Sequence, residues 1–356
     1  GLSTMRKQQK HVSKTANPKT RSANRKISIE ISSPVQGMGF YFLNFAHSFL
    51  TRSSARPRLL FTFHVDCKLF SYSAAQPRNP DQDLSHLVVD NHMPIPTRMG
   101  SFLIHRPVSG LICGQFKKLP AARTRRVHVR TYLGYDPIPI KKEYKVLCMS
   151  LSRTYPKISE EHQVLTLETG KLFWRMIECS LQRCPESGGI CINGVLYYSA
   201  YQDNLFGVVQ NFIVICFDVT SEKFKSLEIN LTCSSTLINY KGRLGAIQFD
   251  SVGFYSGRTT SLGLMVLDDA EQHKWSKKTY ILRPFWKNLG VDTRLNVVGM
   301  TVKLYMFSPS ILSDPFYIFY YDAERNTTVK VRVQGIDFVK NQYIYTFIDH
   351  AEDVKP

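Results

Sequence analysis

Five times in this chain an apolar run ends in an acidic residue, and an aromatic or aliphatic residue follows six to eight positions later. The instances are Leu133-Gly134-Tyr135-Asp136 with Tyr144, Val164–Glu168 with Trp174, Val214–Asp218 with Phe224, Leu264–Asp268 with Trp275, and Ile318–Asp322 with Val329. An acid leaving a strand accepts hydrogen bonds from the backbone N–H groups of the turn it starts. The later apolar residue then restarts a strand and points into the core. The acidic positions are separated by 32, 50, 50 and 54 residues.

A second marker runs at the same period. Ile192-Asn193-Gly194-Val195-Leu196-Tyr197 reads as a tight hairpin, because Asn-Gly tolerates the positive φ of a type I′ turn, and Asn239-Tyr240-Lys241-Gly242-Arg243-Leu244 reads as a second one. Their glycines are 48 residues apart, and Gly188-Gly189 precedes the first of them. A period near fifty is that of kelch-type propeller blades. The reading is an all-β, kelch-like array of antiparallel sheets, about six units between Pro57 and Val354. Phe224 and Trp275 are expected at equivalent buried positions in successive units.

Composition fits this picture. Aromatic residues make up 12% of the chain, with 18 Tyr and 22 Phe, and these favour strands over helices. No apolar run approaches the roughly 18 residues of a membrane helix, and no apolar secretory core follows the basic N-terminus. The expected location is therefore cytoplasmic or nuclear, with no membrane partner. Residues 1–58 hold eleven Lys/Arg against Glu30 alone, within a net charge of +18. Residues 1–26 read as a disordered basic arm, open to loose nucleic-acid contact. The chain begins at Gly1, so Met5 is a candidate start or the chain is a fragment.

The eight cysteines are Cys67, Cys113, Cys148, Cys179, Cys184, Cys191, Cys216 and Cys233, mostly within apolar runs. The one cluster, Cys179, Cys184 and Cys191, lacks the short spacings of a zinc site, so neither metal nor disulfide is expected. No phosphate loop, nucleophile elbow or His-Glu-x-x-His pair is present, and Gly37-Met38-Gly39 is an isolated fragment. Glu160-Glu161-His162 reads as a solvated turn, and Asp268, Asp269 and Glu271 as a strand-end turn. Arg123-Thr124-Arg125-Arg126 with His128 and Arg130 alternates with Val127 and Val129, as an edge strand with a basic outer side does. The chain reads as a non-enzyme without cofactors.

Several stretches together resemble the plant F-box-associated interaction domain of type 3. They are Phe49-Leu50-Thr51-Arg52-Ser53-Ser54-Ala55-Arg56-Pro57-Arg58-Leu59-Leu60-Phe61, Leu133–Pro137, Lys145-Val146-Leu147-Cys148-Met149, Glu161–Leu167, Gly189–Tyr198 and Asp314–Tyr321. The resemblance implies a target-recognition subunit of a cullin-based ubiquitin ligase. In that family an N-terminal F-box holds the Skp adaptor and the associated domain holds the target. Here Ile27–Ser48 stands where the F-box belongs, at about half its length and broken by Pro34, Gly37 and Gly39. The expected organisation is a basic arm (1–26), a degenerate or deleted F-box region (27–56) and the associated domain (57–356). Two functional readings follow: a target-binding domain with its ligase connection lost, or a basic-armed nucleic-acid or chromatin-associated propeller. A third is a decayed gene product.

Overall fold

The computed structural model describes residues 28–32, 39–44, 58–77, 86–96, 102–104, 106, 111–116, 129–137, 143–152, 158–167, 174–181, 183–186, 188–202, 211–230, 235–249, 259–282, 294–301, 303–337, 339 and 342–349. Among them every named element is a strand, and no helix is long and apolar enough to cross a membrane.

In chain order the first strands are β1 (Ser28–Ser32), β2 (Gly39–Asn44), β3 (Arg58–Val65), β4 (Lys68–Ala75), β5 (His86–Val88), β6 (Asp90–Pro96), β7 (Phe102–Ile104) and β8 (Leu111–Phe116). Blade I follows as β9 (Val129–Asp136), β10 (Glu143–Leu151), β11 (Ser159–Leu167) and β12 (Trp174–Ile177). Blade II is β13 (Cys184–Pro185), β14 (Ile190–Ile192), β15 (Val195–Gln202), β16 (Asn211–Asp218) and β17 (Phe224–Glu228). Blade III is β18 (Thr236–Tyr240), β19 (Arg243–Phe249), β20 (Ser261–Asp269) and β21 (Lys274–Ile281). Blade IV is β22 (Leu295–Met300), β23 (Leu304–Pro309), β24 (Phe316–Asp322) and β25 (Thr327–Gln334), with β5 added in parallel to β25. Blade V joins the C-terminal β26 (Ile344–Asp349) to β3, β4 and β6. These five antiparallel blades form a β-propeller. A sixth four-stranded sheet, ordered β1-β2-β8-β7, takes two strands from residues 28–44.

The first strands of successive blades touch one another: β9 meets β14, β14 meets β18, β18 meets β22, and β22 meets β26. The hydrophobic core is correspondingly divided into layers between blades. Tyr132, Leu147 and Val164 of blade I pack on Leu196, Tyr198 and Phe217 of blade II. Val214 and Leu227 of blade II pack on Leu244 and Met265 of blade III. Leu262 and Val266 of blade III pack on Tyr305, Phe307 and Tyr321 of blade IV. Met306, Ile318 and Tyr320 of blade IV pack on Phe61 and Tyr72 of blade V.

This layering explains the unbroken apolar run Phe316–Tyr321. Side chains alternate across a strand. Phe316, Ile318 and Tyr320 enter the layer shared with blade V, while Phe319 and Tyr321 enter the layer shared with blade III. A middle strand buried on both faces therefore needs no polar alternation.

The expected hairpins are present. Asn193 and Gly194 have φ of 49° and 79°, and Lys241 and Gly242 have 53° and 81°. Phe224 opens the outermost strand of blade II and Trp275 is the second residue of that of blade III, across from Phe217 and Leu267. Their positions are equivalent, but both rings are half-buried, because an outermost strand has no further strand to cover it.

Two members of the acidic series do not belong. Asp136 ends β9, a first strand, whereas Asp218 and Asp322 end third strands, which accounts for the short interval of 32. In blade III a bulge between Leu267 and Asp269 inserts one residue. Asp269 therefore takes the turn, accepting from the N–H groups of Glu271 and Gln272 at 2.8 and 2.9 Å. Asp268 accepts from Arg243 and Ser276 instead. Tyr144 is, like Trp275, the second residue of its strand, Val329 is the third of β25, and Glu168 falls outside the described residues. Glu160-Glu161-His162 is not a turn but part of β11, with His162 only 2% exposed.

Candidate interaction surface

Because the strands of each blade alternate in direction, its connections sort onto two rims. One rim carries the turns between first and second strands and between third and fourth strands. The other carries the links between second and third strands and from each blade to the next. The two rims differ in length and in role.

Among the described residues, turns of the first rim clamp blades II, III and IV each to the blade before it. Glu222, in the β16–β17 turn, accepts from Lys145 Nζ at 2.8 Å and from Arg175, both in blade I. Lys145 is buried and also donates to the Val219 carbonyl at 2.7 Å. Burial opposes ionisation of Glu222, but the bonds from Arg175 and Lys145 outweigh it and hold its carboxyl below the ordinary range. One blade on, Glu271 in the β20–β21 turn pairs with Lys225 of blade II at 2.7 Å, and Trp275 Nε1 donates to the Glu228 carbonyl at 2.9 Å. A further blade on, Asn326 in the β24–β25 turn donates to the Ile281 carbonyl of blade III at 2.8 Å. Glu222, His273 and Asn326 all adopt positive φ, between 50° and 57°. Thr220 Oγ1 also donates to Asp136 Oδ2 at 2.7 Å, which gives that acid an inter-blade role.

The second rim carries the long connections, 153–157, 203–210, 250–258 and 283–293 among them. Fixed strands presenting long loops are the usual build of a binding face. Of the basic stretch singled out in the sequence, Val129 and Arg130 open β9, the end strand of its sheet that faces blade II. Residues 123–128 lie outside the described residues, as does the arm 1–26. Nearer the centre, Arg106 Nη1, from the segment after β7, donates to the Leu237 carbonyl of β18 at 2.6 Å. Burial pulls its guanidinium down to about 10. Arg106 thus ties the sixth sheet to the first strand of blade III.

The buried thiols are quiet. Cys148 and Cys216 are pushed up to about 12 by burial, so at neutral pH they are protonated and weakly nucleophilic. No group of three His, Cys, Asp or Glu among the described residues is arranged to hold a metal ion.

The model of the F-box associated beta propeller domain matches residues 58–351. The chain belongs to that family. F-box protein At3g49450 of Arabidopsis thaliana is 40% identical over 331 residues, covering 86% of this chain and 81% of that protein. F-box protein DOR of the same plant is 40% identical over 337 residues, covering 87% and 84%. F-box protein At3g61340 is 37% identical over 358 residues, covering 87% and 84%. The family match begins at residue 58, so β1 and β2 lie ahead of it. The sequence exposed the family and the blade period. The division of labour between rims was hidden, because it follows from strand direction and not from any local motif.

Proposed function

We propose that this member of the F-box associated propeller family acts by binding, not catalysis, and holds a target protein on its long-loop rim. The observation that carries this reading is the contrast between the rims. On one, turn residues such as Glu222, Glu271 and Asn326 are committed to holding the blades together. On the other, the chain between strands is longer, as at 203–210 and 250–260. The named relatives are F-box proteins, and in such proteins the associated domain holds the target of a ubiquitin ligase. In this chain we assign Ser28–Ser32 and Gly39–Asn44 to the sixth sheet, where β2 pairs with β8, and not to the Skp adaptor.

Lysine-directed cross-linking of the full chain to proteins retained from plant extract tests the reading. Cross-links are expected at Lys68, exposed where β4 opens on the long-loop rim. Cross-links confined to Lys223, Lys241 and Lys303 of the tight-turn rim would overturn it. Purified Skp adaptor is expected to give no stoichiometric complex, and recovery of one would refute the assignment of residues 28–44.

A further inference from the structure

The outermost strand of a blade has one side without a neighbour, where its N–H and C=O groups are open to another chain. Among the described residues, four of the five blades cover, break or shorten that edge. Blade IV covers β25 with β5. Blade V ends in β6, where Pro94 supplies no N–H. Blade I ends in β12, of only four residues. In blade II the Glu228 N–H donates to His273 Nδ1 at 3.1 Å, and the Glu228 carbonyl accepts from Trp275 Nε1. Blade III ends in β21, eight residues long, with no described strand beyond it.

Strand register says which groups of β21 point outward. Ser261 lies opposite Ile281, and one step on the Leu282 N–H bonds the Thr260 carbonyl at 2.8 Å. Residues bonded to the neighbouring strand alternate with residues whose N–H and C=O point away. Tyr280, Lys278 and Ser276 therefore bond to β20, while Ile281, Thr279 and Lys277 point outward. The Ile281 carbonyl agrees, since it accepts from Asn326 Nδ2 of blade IV at 2.8 Å. The backbone groups of Lys277 and Thr279 that point outward have no partner among the described residues. The side chains here are basic. Lys274, Lys277 and Lys278 are exposed, and none pairs with a carboxylate among the described residues. The acids before them are taken: Asp268 accepts from Arg243, Asp269 from turn N–H groups and Glu271 from Lys225. Trp275 packs in the layer shared with blade II, and Tyr280 in the layer shared with blade IV. Alternation therefore puts Lys277 on one face with Ile281, which is 69% exposed, and Lys274 and Lys278 on the other.

We propose that the outer edge of blade III takes up an extended segment of a partner protein, rich in Asp and Glu, as an added strand beside β21. This is a second surface, separate from the long-loop rim, and its test leaves target binding there untouched. Backbone pairing to Lys277 and Thr279 supplies the attachment, and the flanking side chains choose the partner. Lysines on both faces repel a second copy of this edge and any basic segment. They match carboxylates that alternate to either side of an incoming strand. Ile281 receives one apolar side chain at the end of the segment. The molecule already adds a strand in this way, where β5 lies on the outer edge of blade IV. Nucleic acid suits the lysines but not the edge, because phosphate oxygens only accept hydrogen bonds and the outward carbonyls need donors.

Selection of random short peptides displayed on phage against the full chain tests the proposal, with Lys277→Glu, Thr279→Pro and, as a control in blade IV, Lys303→Glu. Thermal melting of each variant should match the parent, because all three side chains are exposed and a proline at residue 279 removes no bond to β20. The expected result is enrichment of acidic sequences without Pro. Their affinity should fall about tenfold or more for Lys277→Glu and Thr279→Pro, and stay unchanged for Lys303→Glu. Hydrogen exchange at the Lys277 and Thr279 amides should slow when such a peptide is bound. No enrichment, or enrichment of basic sequences, overturns the proposal. So does a loss with Lys277→Glu that Thr279→Pro does not share, since charge alone then holds the peptide. Single-stranded DNA that binds more tightly than any selected peptide and ignores Thr279→Pro would assign the lysines to phosphate and overturn it too. If Thr279→Pro melts early, the two amides decide: exchange that a bound peptide leaves unslowed rules out the added strand.

Discussion

At the scale of single residues, two ionisable groups, His162 buried and Glu222 half-buried, report on how the blades are joined. His162 lies in β11 against the Phe224 ring of blade II, with centroids 5.5 Å apart, and its Nε2 is buried without a hydrogen-bond partner. Burial pulls it down to about 4 from its ordinary 6.5. The unfolded chain therefore binds a proton between those values that the folded chain does not. The stabilising contribution is complete above pH 6.5 and is lost as pH falls toward 4, at about 2 kcal/mol between pH 7 and pH 5. Urea unfolding at the two pH values should show that loss in the parent chain and not in His162→Leu. Equal loss in both would mean that His162 is solvated. Glu222 is the second reporter. Replacing it with Gln leaves Lys145, whose side chain is 8% exposed, with only the Val219 carbonyl. The expected cost is about 2–3 kcal/mol, somewhat below that of a fully buried pair. A change under about 0.5 kcal/mol, the size of an exposed pair, would show the clamp to be ornamental.

At the scale of elements, the sequence was legible wherever a local rule is strict. Asn193-Gly194 announced its turn because few residue pairs accept two positive φ values in succession, and Gly242 marked the second, where Lys241 also adopts positive φ. Asp66-Cys67, with φ of 46° and 59°, makes the same kind of turn between β3 and β4 and gave no such signal, because neither residue is glycine. The bulge in blade III was likewise invisible. Asp268 and Asp269 are chemically identical, and only strand register decides which one caps the turn. Burial of Trp275 was overestimated for a related reason. Periodicity locates an aromatic within a blade, but the rank of its strand from the axis decides how much of it is covered. The ring still reaches blade II through its hydrogen bond to Glu228. Trp275→Phe, which keeps most of the ring and removes the donor, should cost about 1 kcal/mol by chemical denaturation. A neutral result would mean that the indole N–H gains nothing over water.

At the scale of the whole molecule, the chain closes blade V with its own C-terminal strand: Ile344 pairs with Phe63 and Asp349 with Arg58. No local pattern foretells this, because the two segments are nearly the full length of the domain apart. The same is true of β5, which leaves blade V to pair with β25 of blade IV, and of β2, which pairs with β8 across the intervening blade V strands. The period near fifty therefore led to an expectation of about six units where five blades form, because it counts residues and not the segments that pair across long distances. The long-loop rim was the least legible part: Ile311 and Tyr343 are unremarkable in sequence and meet only through the bridge that joins two links 32 residues apart.

Hydrogen–deuterium exchange of the chain with and without a captured target tests the central claim most directly. The account predicts slowed exchange in the long-loop rim, at residues 310–315 and 335–344, with the turns at 193–194, 222–223, 241–242 and 270–273 unchanged. Slowing confined to those turns, with the long-loop rim exchanging as in the free chain, would contradict it.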